Sequence, residues 1–228
     1  MYERRHKEKL GVNLIAHYHP KSLISEQYRL IRTNIQFSSV QKKIKTIMVT
    51  SSEPADGKST TATNLAIVLA QQGTQVLLVD TDLRKPTLHY AFNISNLNGL
   101  TNVLTKNSSL EDTIIKTHIP KLDILTSGPV PPNPSELLNS EPMQSLIRQI
   151  EKMYEYIVFD TPPVLAVSDP QILANKCDGI VMVVGSGKTR KERAKKAKEL
   201  LEKAQSHILG VVMNGVNSKK GEYYSQYK

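Results

Sequence analysis

Lys58, Ser59 and Thr60 close the stretch SSEPADGKST (residues 51–60), which follows the apolar run IKTIMV. A strand that turns through glycine into a helix beginning Lys-Ser-Thr is suited to phosphate. Backbone N–H groups and the helix N-terminus converge on anionic oxygens, and Gly57 supplies the turn. Lys58 would reach the β- and γ-phosphates, and the Ser59 hydroxyl would bind Mg²⁺. The position six residues before Lys58, where such a loop ordinarily opens with glycine, is Ser52. The reading requires Ser52 to adopt the opening turn, with Pro54 presetting the loop. Asp56 brings a carboxylate close to the β-phosphate, so its side chain is expected to point outward.

Two acidic motifs follow. In VLLVDTDLRKP (76–86), Asp80 and Asp82 lie two apart at the end of an apolar run, and share a face if the chain is still extended. Carboxyl ends of strands are where α/β sheets bind ligands. In YIVFDTPP (156–163) a second apolar run ends in Asp160 and is turned by Pro162 and Pro163. An acid at such a place would hold the shell of a magnesium ion, directly or through water.

The elements that must position these residues are legible as alternating periods. Apolar runs predict strands at 44–50, 75–80, 122–128, 156–160, 179–184 and 208–215. Several are apolar almost throughout, as in a parallel sheet buried on both faces. Helical patterns fit between them at 22–38, 58–72, 108–117, 142–153, 169–176 and 189–205. The order implies an α/β fold: a doubly wound, mostly parallel sheet with right-handed crossovers and helices on both faces. GPVPPNPSE (128–136) reads as a rigid surface turn, and the closing KKGEYYSQYK has no apolar period.

The chain has 228 residues, enough for one sizeable core, and 22% charged residues, ordinary for a globular protein. Its single cysteine, Cys177, rules out an intrachain disulfide and reads as a structural thiol. No apolar run approaches the roughly 20 residues of a membrane span, and the expectation is a cytoplasmic protein. The formal net charge of +9 is concentrated in the two ends and in KTRKERAKKAKELLEK (188–203), not in a continuous groove. A solvated helix face explains that segment best, docking to anionic lipid or an acidic segment next. No reading module accompanies it, so no nucleic acid is expected.

The motifs together resemble those of the bacterial tyrosine kinases, specifically the cytoplasmic catalytic subunit of the capsular and exopolysaccharide type. SSEPADGKST stands for a modified Walker A, VDTDLRKP for Walker A′ and VFDTPP for Walker B. SGPVPPNPSELL, the element SEQYRLIR (25–32) and the tyrosine-rich end complete the likeness, over roughly residues 20–228. The loop departs from the commoner family form at Ala55, where glycine is usual. Partitioning ATPases of the MinD/ParA type share the fold but carry an extra lysine five residues before the invariant one. Here that position is Glu53, which weighs against the alternative of an ATP-switched positioning module.

The resemblance implies a P-loop NTPase fold, ATP and Mg²⁺ as cofactors, and transfer of the γ-phosphoryl group to tyrosine. Lys58 would stabilise transferred charge, while Ser59, Asp82 and Asp160 organise the ion. Asp80 would accept or orient the phenol proton, with Asp80 and Asp82 able to exchange roles. A tyrosine has a pKa of about 10, so a placed carboxylate makes up part of the deficit in phenolate. Arg84 would order the loop or contact phosphate. Ser52, Asp56, Gly57 and Thr60 would complete the nucleotide contacts. Asn214 would read adenine, although an Asn-Gly turn explains it equally.

On the same ground Tyr223, Tyr224 and Tyr227 would be acceptors, modified in a neighbour's site. Glu26, Arg29 and Arg32, spaced by three on a helix, would close a homo-oligomeric ring. A membrane activator would recruit the chain to the inner face of the membrane. The expected division is a basic extension (1–20), a kinase domain (21–218) and a tail (219–228).

Overall fold

The computed structural model describes residues 12–39 and 43–216; the expected acceptors Tyr223, Tyr224 and Tyr227 lie outside the described residues. The apolar runs form β1 (Thr46–Ser51), β2 (Val76–Asp80), β3 (Ile115–Lys116), β4 (Leu122–Leu125), β5 (Tyr156–Asp160), β6 (Gly179–Gly185) and β7 (Ile208–Asn214). They pair in the order β3-β4-β2-β5-β1-β6-β7. Every pairing is parallel except that of β3 with β4. Successive side chains of β1 serve different cores. Ile47 and Val49 join one cluster, and Met48 joins the other, as the period of two requires.

Helices α1 (Ile15–Tyr18), α2 (Leu23–Ser38) and α3 (Lys58–Ala70) precede β2. Between β2 and β3 lie α4 (Leu88–Phe92), α5 (Leu100–Leu104) and α6 (Leu110–Thr113). α7 (Pro134–Asn139), α8 (Glu141–Met153), α9 (Asp169–Ala174) and α10 (Lys191–Lys203) complete the set. Eleven of the thirteen residues of α3 are buried. That helix carries Lys58, and such burial needs cover on its outer side. Part of the cover comes from α2, whose Arg32 donates to the Val68 carbonyl (2.8 Å).

More cover comes from residues 13–18, which corrects the boundary expected at residue 20. Leu14 and Ala16 are buried. The Ala16 amide donates to Asn64 Oδ1 (2.8 Å), and Asn64 Nδ2 donates to the Asn13 carbonyl (2.6 Å). The basic extension is therefore shorter than 1–20, and the packed domain begins by Asn13.

The helix expected over 108–117 is also corrected. Ser109 caps a single turn, accepting from the Asp112 amide, and the chain then extends into β3. The run Thr113-Ile114-Ile115 is β-branched and costs less on a pleated edge than in a helix. The strand expected to reach residue 128 stops at Leu125.

Candidate active site

β5 lies between β2 and β1, so the carboxyl ends of these three strands meet. Asp80 is in register with Asp160, and Val49 is in register with Asp160 on the other side. The loop after β1 therefore arrives beside both acidic motifs. Lys58 Nζ lies 3.0 Å from Asp82, 3.7 Å from Asp160 and 3.1 Å from Ser59 Oγ. One cation, one hydroxyl and two carboxylates are thus gathered at one point. Lys58, Ser59 and Asp82 line a cleft of about 620 Å³ whose wall also includes Gly57, Thr60 and Arg84, while Asp160 is fully buried and not part of that wall.

The loop explains the missing glycine. Ser52 is not among the residues of positive φ, whereas Ala55 (+62°) and Gly57 (+97°) are. The left-handed positions, where glycine costs least, therefore fall later in the loop than Ser52. Ala55 takes one of them at some cost in strain. Ser52 is fully buried, its hydroxyl has no partner among the described residues, and it is not part of the cleft wall.

Asp56, expected to point outward, is turned into the protein instead. It is 1% exposed. One carboxylate oxygen accepts from the Glu53 amide (3.0 Å) and the other from the Thr189 hydroxyl (2.7 Å). The carboxylate is thereby occupied away from the cleft wall.

The acids differ in what surrounds them. Both oxygens of Asp160 are buried without a hydrogen-bond partner among the described residues. Burial pushes its carboxyl above the ordinary range, against the pull of Lys58. Burial alone would lower the Lys58 pKa, but Asp160 and Asp82 outweigh it and hold the ammonium charged. A buried carboxylate that no hydrogen bond satisfies, facing the Lys58 ammonium at 3.7 Å beside a hydroxyl, fits a divalent cation. Among the described residues no three His, Cys, Asp or Glu side chains form a metal cage. An ion here would therefore complete its shell with phosphate oxygens and water, as magnesium does.

Asp80, expected to meet the phenol, does not line the cleft. It is fully buried; one oxygen accepts from the Asp82 amide (3.2 Å), the other from the amides of Thr87 and Leu88 (3.1 Å each). Burial, then Asp160, push its pKa up to about 8. Its observed contacts fold the 82–88 segment, which leaves Asp82 as the carboxylate at the cleft.

Arg84 orders this loop. Its guanidinium grips Asp169 with two bonds (2.8 and 3.0 Å), and Ser135 donates to the same carboxylate (2.6 Å). The proline-rich segment is thus more than a turn, since α7 brings Ser135 to the site. Asp169 is fully buried but Arg84 is 38% exposed, so Arg84→Ala is expected to destabilise the protein by about 1–3 kcal/mol, the cost of leaving a buried acceptor short of a partner, and less than a fully buried pair would lose. Urea unfolding measures the loss. Arg84→Lys should recover only part of it, having no planar fork.

Asn214 does not line the cleft either. Its Nδ2 donates to the Asp56 carbonyl (2.9 Å). Glu26 pairs with Arg29 within α2 (2.7 Å), Arg29 donates to the Pro20 carbonyl, and Arg32 turns toward α3. The basic segment is divided between solvent and site. Arg193 pairs with Glu53, Lys198 with Glu202 (3.1 Å), while Ala197 and Leu201 are buried. Sequence reasoning missed Lys188, Thr189, Arg193, Ser135 and Asp169, all of which brace loops around the cleft. The signal for Lys188 and Thr189 was a polar turn, GSGKTR (185–190), after an apolar strand; Arg193 lay within the basic segment 188–203 and Ser135 within GPVPPNPSE.

A family model described as an AAA domain matches residues 44–205. The tyrosine-protein kinase YwqD of Bacillus subtilis is 55% identical over 215 residues, spanning 94% of this chain and 91% of that protein. The kinase domain of Escherichia coli tyrosine kinase ETK superposes with a TM-score of 0.88 at 31% identity, covering 95% of this chain and 85% of that one. The septum site-determining protein MinD of Pyrococcus horikoshii, solved with Mg-ADP, gives 0.64 at 25% identity over 74% of this chain and 69% of that one. The fold is that of a P-loop NTPase, and the kinase likeness is the fuller of the two. On its motifs, its site and these similarities, the chain belongs to the bacterial tyrosine kinases.

Proposed function

We propose that this chain transfers the γ-phosphoryl group of MgATP to protein tyrosines, its own Tyr223, Tyr224 and Tyr227 included, in the control of capsular or exopolysaccharide synthesis. The observation that carries the reading is Lys58 held between Asp82 and Asp160 beside a phosphate-type loop. Bound MgATP supplies the phosphoryl donor and the cation that offsets its charge. Lys58 would hold the oxygens of the moving group, and Ser59 and Asp160 would hold the ion, joined by Asp82. Asp82 is the carboxylate best placed to orient a phenol at the cleft. Asp80 keeps the segment that carries Asp82 and Arg84 in place.

Partners and location belong to the same proposal. A membrane activator would bring the chain to the inner face of the membrane. Ring closure would use α2, which exposes Leu23, Ile24, Leu30 and Phe37 beside the Glu26–Arg29 pair. Among the described residues no helix is long and apolar enough to cross a membrane.

The test is incubation with ATP labelled at the γ-phosphate, with and without the activator's cytoplasmic segment. Label is expected on the protein, and should fall at least tenfold when Tyr223, Tyr224 and Tyr227 are all changed to phenylalanine. Free phosphate with unlabelled protein under both conditions would instead favour the positioning ATPase.

A further inference from the structure

We propose that Lys188 and Asn214 are positioning residues that aim the amide groups of the phosphate loop into the cleft from behind it. The inference rests on the reading that the loop holds the phosphates of ATP. It begins with peptide geometry. A trans peptide is planar, so a carbonyl and the N–H that follows it point in opposite directions. No peptide bond among the described residues is cis.

Three successive carbonyls of the loop accept from side chains that are not part of the cleft wall. Lys188 Nζ donates to those of Pro54 (3.2 Å) and Ala55 (3.0 Å), and Asn214 Nδ2 donates to that of Asp56 (2.9 Å). The N–H groups of Ala55, Asp56 and Gly57 are consequently turned the other way. That is the side of the cleft, whose wall includes Pro54, Ala55 and Gly57 but neither Lys188 nor Asn214. Consecutive amides pointing into one concavity make an anion site. Without such restraint a loop with Ala55 at φ +62° has little reason to keep this shape, because an alanine there is strained.

The neighbouring contacts fit the same purpose. Thr189 holds the Asp56 carboxylate, which in turn caps the Glu53 amide, and Arg193 pairs with Glu53. Asn214 and Gly57 are fitted to each other. A Cβ at position 57 would lie 2.1 Å from Asn214 Nδ2, so the glycine provides room for the amide that holds its neighbour's carbonyl. Lys188 therefore acts through carbonyls, and its charge is not itself at the phosphate site.

The experiment is calorimetric titration of the full chain with MgATP, beside amide spectra of the nucleotide-free protein. Lys188 is exposed, so its replacement is not expected to unfold the chain. Lys188→Met should weaken MgATP binding at least tenfold, and the loss should persist at about 0.5 M salt, where exposed charges are screened. The amide resonances of Ala55, Asp56 and Gly57 should move before any nucleotide is added. Lys188→Arg, which keeps the donors, should restore binding, and Asn214→Ala should shift the Gly57 amide most. Unchanged affinity in Lys188→Met, or a loss that vanishes in high salt, overturns the inference. A wild-type chain that binds no MgATP would overturn the ATP reading instead.

Discussion

Lys58→Met is expected to abolish tyrosine phosphorylation and also to destabilise the nucleotide-free protein, more strongly at pH 8 than at pH 5. Loss of one preorganised charge contact to a reacting group costs on the order of 10²–10³ in rate, and Lys58 serves in addition to hold the donor. The stability effect comes from the carboxylates left behind. Lys58 is the cation beside Asp82 and Asp160, and removing one partner of a buried pair costs about 3–5 kcal/mol. Asp160, whose pKa Lys58 pulls down against burial, then holds its proton more tightly in the folded state. A folded-state pKa raised above its unfolded value gives stability that is complete below the unfolded value and lost as pH rises through the folded one. The variant's deficit should therefore grow with pH. Urea unfolding at the two pH values checks the sign, and equal deficits would show that the buried carboxyls do not depend on Lys58.

Asp160→Asn should have the opposite effect on stability while removing function. Asp160 is buried, neither of its oxygens has a hydrogen-bond partner among the described residues, and its carboxyl is held above the ordinary range by burial. Neutralising it relieves that cost while Lys58 keeps the nearer Asp82 (3.0 Å) as its partner, and a gain of about 1 kcal/mol corresponds to about 2–4 °C in a chain of this size. The pH profile should change as well. In the wild type Asp80 titrates near 8, through burial and the neighbouring Asp160. Its contribution to stability is therefore complete below about pH 4 and declines as pH climbs toward 8.

With asparagine at 160 one cause of that elevation is gone, and the decline should be shallower. Function moves the other way, because a buried carboxylate that no hydrogen bond satisfies is what suits the site to a divalent ion. Wild-type protein should melt higher with MgADP than with ADP alone, as linkage requires of a ligand that binds only the folded state. The variant should lose the magnesium increment. A lower melting temperature without nucleotide would mean that burial of Asp160 costs the fold nothing, and an unchanged magnesium increment would mean that Asp160 is not an ion ligand.

The two variants separate what the site needs from what the fold tolerates. Lys58 stabilises both, whereas Asp160 is kept at the expense of the empty fold. That pattern is expected where buried charge is arranged for a ligand and not for folding.

The sequence by itself located six of the seven strands and the helix that carries Lys58, and named Lys58, Ser59, Asp82 and Asp160 among its site candidates, together with Asp80. These follow from local pattern: apolar runs ending in acids, and a glycine before a helix start. The role of Asp80 was not local, because its oxygens are taken by amides of Thr87 and Leu88 once the 82–88 segment folds back. Asp56 was misjudged for the same reason, its partner Thr189 lying 133 residues away. Residues 13–18 looked like an extension because their cover of α3 cannot be seen until Asn64 is in place beside them. Period and composition report which faces are buried, and so they locate elements. Which donor meets which acceptor depends on segments far apart in the chain, and only the packed sheet with its crossover loops brings those together.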